Sequence, residues 1–165
     1  MTASLAARAD DRLIRVALTG EALPRLSPLL EADRAQAVAD LAAENRFAPV
    51  LPAAASGPFV LHLSILDGRL IFDIRDAAEA PLLAVGLALG PFRALVKDYQ
   101  LLVESYATAI AEGREARIQA IDMGRRGLHD EGARLLSARL QGKITIDFPT
   151  ARRLFTLVCV LHQRG

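Results

Sequence analysis

Apolar positions along the chain recur with two different periods, and the changes of period divide it into elements. Residues 12–18, Arg-Leu-Ile-Arg-Val-Ala-Leu, have the leucine and β-branched content of a short strand that Thr19-Gly20 ends. After a proline-containing connection, 29–46 reads as a helix with Leu29, Leu30, Ala37, Val38, Leu41 and Ala42 on one face. Pro49, Pro52, a run of alanines and Pro58 then predict a loop.

Two alternating runs within 59–75 flank Asp67-Gly68, the residue pair preferred by a two-residue type I′ turn, so this stretch is a hairpin. The turn fixes the register: Leu66 faces Arg69, Leu63 faces Phe72, Leu61 faces Ile74 and His62 faces Asp73. His62, Ser64, Asp73 and Arg75 then share the face away from the core. A third strand follows over 82–89. Its Ala84, Gly86 and Ala88 would let either the chain's own helices or a second subunit approach closely.

Pro91 suits a first helical turn. Phe92, Leu95, Val96, Tyr99, Leu102, Val103, Tyr106 and Ile110 then keep helical spacing until Gly113. Residues 114–140 are also helical in period, but Gly124 and Gly127 each cost about 1 kcal/mol relative to Ala, which predicts a break or kink. A short strand at 143–147 precedes a last helix over 148–162, capped by Asp147 and apolar nearly all round. Together these elements predict one α+β domain over 1–165, its first ten or so residues poorly ordered. The sheet would be mostly antiparallel with four or five strands, helices on one face and the C-terminal helix in the core.

Composition narrows the function classes. In 165 residues and 17.8 kDa, apolar types make up 52% and charged types 24%, enough for one core and incompatible with wholesale disorder. No apolar run reaches the 18 or so residues of a membrane helix. Arg8, Asp10, Asp11 and Arg12 stand where a secretory signal would need an apolar segment, so a cytoplasmic location is expected and no membrane partner. The single cysteine, Cys159, excludes an intrachain disulfide and a thiolate zinc site, and no cofactor motif is present.

Charge is unevenly distributed. Residues 1–113 carry 10 Lys and Arg against 14 Asp and Glu, whereas 114–165 carry 10 against 5, so the C-terminal third is basic. Within it, Gly124-Arg125-Arg126-Gly127 is similar in local pattern to the phosphate-clamping GXXG loop of KH domains, although Asp122-Met123 replaces the usual apolar-glycine pair before it. If the helix instead runs through the glycines, Asp122 with Arg126 and Arg125 with His129 stand four residues apart. Asp122 is also placed to orient His129 as a general base. Arg152 and Arg153, in the first turn of the last helix, oppose its dipole and call for a partner, either Asp147, an anionic ligand or a second chain. On the outer sheet face His62, Asp73 and Arg75 form a further polar group.

Four blocks carry a family likeness: 44–50 (Glu-Asn-Arg-Phe-Ala-Pro-Val), 70–76 (Leu-Ile-Phe-Asp-Ile-Arg-Asp), 121–129 (Ile-Asp-Met-Gly-Arg-Arg-Gly-Leu-His) and 150–162 (Thr-Ala-Arg-Arg-Leu-Phe-Thr-Leu-Val-Cys-Val-Leu-His). From about Arg12 onward the chain resembles an uncharacterised, numbered protein family of alphaproteobacteria. The resemblance implies a bacterial cytoplasmic origin and transfers no catalytic residue.

Three functions fit this reading. The first is a small non-catalytic binding or regulatory protein that uses Gly124, Arg125, Arg126, Gly127, His129, Arg152 and Arg153 to hold an anionic partner protein or ligand. The second is single-stranded nucleic-acid binding through 124–127. The third is a small enzyme with His129 or His62 as acid/base. A homodimer is compatible with each.

Overall fold

A computed structural model describes residues 9–19, 27–51 and 55–162. The opening residues expected to be poorly ordered lie mostly outside the described ones. Strand β1 (Leu13–Leu18) leads to α1 (Pro28–Ala43), whose N-terminus Ser27 caps by accepting from Leu30 N, with Pro28 in the first turn. This helix stops three residues before the predicted end. There Asn45 turns its amide onto β1, accepting from Leu13 N (2.7 Å) and donating to Leu13 O (2.8 Å) and Leu41 O (2.7 Å).

The Asp67-Gly68 hairpin forms as the sequence requires, with both residues at positive φ (51° and 72°). It joins β3 (Phe59–Leu66) to β4 (Arg69–Asp76) in the predicted register, His62 opposite Asp73. Strand β5 (Pro81–Ala88) continues the meander, and β1 adds in parallel on the far side, giving the order β1-β3-β4-β5. The sheet is thus mixed, mostly antiparallel, with four strands.

Two expectations need correction. Phe47–Pro49, within and beside the predicted loop, is a strand, β2, and the predicted strand near 143–147 is β6 (Ile144–Ile146). These two pair with each other as a separate two-stranded ribbon instead of extending the main sheet. The predicted break in the third helix is also absent. A short 3-10 turn (Gly90–Phe92) opens α2 (Arg93–Glu112), which Gly113 ends at φ 67°, and α3 (Glu115–Leu140) then runs without interruption through Gly124 and Gly127.

Packing explains the continuity of α3, since helices in proteins draw most of their stability from their neighbours. A Cβ at Gly124 would rest against Leu102 of α2 at 3.6 Å. One at Gly132 would meet the Phe155 ring at 2.4 Å, so α3 can approach the final helix α4 (Phe148–Leu161) only because that position is glycine. Helix α4 is buried along almost its whole surface, as its sequence predicts, and packs between α1 and α3. Leu61, Leu63, Phe72 and Ile74 from the sheet join Phe92, Val96, Tyr99, Leu154 and Leu157 in one core. No helix among the described residues is long and apolar enough to cross a membrane.

Candidate anion-binding cleft

Helical periodicity puts Arg125, Arg126 and His129 of α3 toward the start of α4, where Arg152 and Arg153 project. Helix α1 closes the third side with Asp33, Gln36, Ala37 and Asp40, and Thr156 completes a cleft of about 180 Å³. Five of the predicted anion-binding residues therefore meet in one place. The two glycines do not: Gly124 packs on α2, Gly127 faces open space, and both are helical, so 124–127 has no GXXG loop to close on a nucleic-acid backbone.

The ion pairs differ from those predicted. Arg125 reaches across to α1, donating from Nη1 to both oxygens of Asp33 at 2.6 and 2.8 Å and from Nη2 to Asp122 at 3.0 Å. Asp122 thus serves Arg125 three residues on instead of Arg126 four residues on. Burial works against the Arg125 charge, but the bonds and charge of Asp33 outweigh it and hold the guanidinium firmly protonated. The Tyr99 hydroxyl also donates to Asp33, and burial, together with that carboxylate, raises the phenol well above its usual range.

Asp147 is not the partner of the α4 arginines. Its carboxylate caps the helix, accepting from Thr150 N at 3.0 Å. Arg152 Nε instead lies 2.7 Å from Asp130 Oδ1, and Arg153 Nε lies 3.6 Å from Asp40 Oδ2. The first contact is close but poorly aligned, which leaves the buried Arg152 Nε without a hydrogen-bond acceptor. Arg126 is exposed and makes no ion pair among the described residues. Four guanidinium groups and two carboxylates line the cleft, and Asp122 and Asp130, outside the lining, pair with Arg125 and Arg152.

His129 sits at its inner wall, with the Tyr99 and Phe155 rings 5.5 and 6.4 Å away. The Thr156 hydroxyl gives its proton to Arg152 O at 3.1 Å, so the Thr156 oxygen receives His129 Nε2–H at 3.5 Å, an assignment made from the bonding pattern. Burial lowers the imidazole pKa to about 4. Asp33 opposes that effect, Arg125 and Arg152 reinforce it, and Asp130 opposes it again. The predicted pairing of His129 with Asp122 does not form, and no carboxylate among the described residues bonds the ring. Cys159 lies fully buried, its thiol pushed well up by burial and then by Asp33. Among the described residues no three His, Cys, Asp or Glu side chains are grouped to hold a metal ion.

On the outer sheet face the register prediction holds but the contact does not. His62 Nε2 bonds Glu79 Oε1 at 2.8 Å, while Asp73, directly opposite, takes Arg75 Nη2 at 2.8 Å. Arg15 also pairs with Glu79, and Arg75 Nη1 lies 3.4 Å from it. His62 as donor, then the charges of Arg15, His62 and Arg75, hold the Glu79 carboxyl below the usual range despite some desolvation. Sequence reasoning missed Glu79. The available signal was Asp76, whose Oδ1 accepts from Ala78 N (2.8 Å) and Ala80 N (2.9 Å) and so folds the turn back over the strands.

A comparison with known families matches residues 10–164 to one described as an uncharacterised protein family, UPF0262. A relative from Granulibacter bethesdensis is 66% identical over 94% of this chain and 92% of its own length. One from Acidiphilium cryptum is 61% identical over 97% and 98%, and one from Rhodopseudomonas palustris is 50% identical over 94% of each; all three are named UPF0262 proteins. No solved structure matches the chain.

Proposed function

The chain belongs to the uncharacterised protein family UPF0262, and from that premise we propose that it is a small cytoplasmic binding or regulatory protein whose cleft between α1, α3 and α4 holds an anionic group of a ligand or partner protein. The observation that carries this reading is the convergence of Arg125, Arg126, Arg152 and Arg153 on one cleft, where Arg126 has no ion pair among the described residues. Three of the four arginines are already oriented by Asp33, Asp130 and Asp40. A ligand therefore meets guanidinium forks whose ordering cost was met on folding. Arg126, without an ion pair among the described residues, supplies a full set of donors.

Calorimetric titration of the full chain with inorganic phosphate tests this. A charge-assisted bond contributes about 1.5–3 kcal/mol, so Arg126→Ala should weaken binding roughly ten- to a hundredfold. The fold should be intact, because Arg126 is exposed and unpaired. Equal affinity in the two proteins, or no saturable binding to either, would overturn the proposal.

A further inference from the structure

The four-stranded sheet ends at β5, an edge strand whose outward backbone groups over 84–88 find no partner among the described residues. In the hairpin Leu66 and Arg69 exchange backbone bonds, so Leu70, Phe72 and Ile74 turn theirs toward β5, where they meet Leu87, Val85 and Leu83. Leu89 N bonds Gly68 O at 3.1 Å on the same side. By alternation, Ala84, Gly86 and Ala88 point their N–H and C=O groups away from the sheet. No partner for them occurs among the described residues.

All three residues are exposed, and from Ala80 to Phe92 the chain has no charged residue. Proline stands only at the start of the strand, and its one irregularity in pairing lies opposite Ile74 and Arg75, before Leu83. Proteins that stay single guard such an edge with lysine, proline, a bulge or a covering segment, because bare backbone groups template another strand. Beside the edge Val50 is 62% exposed, across a groove shared with Gly142 and Lys143.

We propose that β5 pairs antiparallel with β5 of a second copy of this chain, joining two four-stranded sheets into one of eight strands. The choice of occupant follows from complementarity. An incoming strand must offer outward groups at two-residue spacing and bring no charge against an uncharged edge, and β5 itself meets both conditions. Centred on Gly86, the pairing sets Gly86 against the second copy's Gly86 and Ala84 against the second copy's Ala88. Every outward group then finds a partner. The six resulting bonds lie within the range of about 10 ± 5 found in stable interfaces. Small side chains at all three positions leave the outer face flat enough for the strands to close. Lys143, at the groove's rim, keeps its ammonium in water on a flexible stem.

Light scattering on the eluting full chain at micromolar concentration should give twice the 17.8 kDa of one copy. Gly86→Lys places like charges on the symmetry axis and should restore the single mass with an unchanged far-UV spectrum. A side chain fits there, since its Cβ would meet Ile71 and Arg69 only at 3.5 and 3.9 Å. Should Gly86→Lys fail to fold, Gly86→Cys keeps the register testable. It should cross-link to itself on oxidation, whereas Ala84→Cys should do so only together with Ala88→Cys; Cys159 is buried and silent. A wild-type chain of single mass, or a folded Gly86→Lys protein that remains dimeric, overturns the proposal.

Discussion

Acidification between pH 6.5 and 4 should destabilise the protein through His129, by an amount that follows from its surroundings. The ring lies among Tyr99, Phe155 and Thr156, with Arg125 and Arg152 adding positive charge, and its pKa falls from 6.5 to about 4. In the unfolded chain the imidazole regains the ordinary value. Above pH 6.5 both states are neutral and His129 contributes no pH dependence. As the pH drops from there toward 4, the unfolded state takes up a proton that the folded state refuses, so stability falls with pH. At 1.36 kcal/mol per pKa unit the full loss is about 3 kcal/mol, reached near pH 4. Urea denaturation at a series of pH values measures it, comparing wild type with His129→Gln so that the carboxylates, common to both, cancel. The difference between the two proteins should be flat above pH 6.5 and change by about 3 kcal/mol below it. NMR titration of His129 supplies the independent check. An imidazole that titrates near 6.5 in the folded protein refutes the argument, because a desolvated ring beside two guanidinium groups cannot hold its proton that easily.

Glycine substitutions along α3 should have opposite effects. Gly127→Ala, with nothing within 4 Å of the new methyl group, should stabilise by about 1 kcal/mol through helix propensity alone and raise Tm by about 3 °C, whereas Gly132→Ala, driven into the Phe155 ring, should destabilise by about 1–3 kcal/mol. Calorimetric melting of both variants checks this, and loss of stability in Gly127→Ala would mean that 124–127 is not helical in solution. Asp33→Asn leaves Arg125 without its main partner and Tyr99 without an ionised acceptor. Because Arg125 and Asp33 keep 21% and 14% of their side-chain exposure, the cost should fall below that of a fully buried pair, at about 2–3 kcal/mol in urea denaturation. A cost under about 0.5 kcal/mol would show that water replaces the pair without penalty.

Much of the fold was legible in the sequence because it is governed by short-range chemistry. Asp67-Gly68 set a turn, the turn set a register, and the register set which of His62 and Ser64 or Leu61 and Leu63 would face the core. The apolar period of 92–113 and 148–162, with Gly113 and Asp147 at their ends, located two helices within a few residues. The arginines that make the C-terminal third basic include the four that share the cleft. Tertiary structure decided what depends on partners distant in the chain. Asp33 and Arg125 are 92 residues apart, so nothing local could show that this carboxylate, and not Asp122 alone, anchors the cleft. Glu79 reached His62 only because the Asp76 turn folded back. The pairing of β2 with β6 and the unbroken course of α3 were likewise beyond propensity. A glycine costs the same in any isolated helix, and only the neighbours, Leu102 at Gly124 and Phe155 at Gly132, repay that cost by packing where a side chain would stand. Local rules therefore gave the elements and their faces, while the ionic contacts of the cleft depended on which helices came to lie side by side.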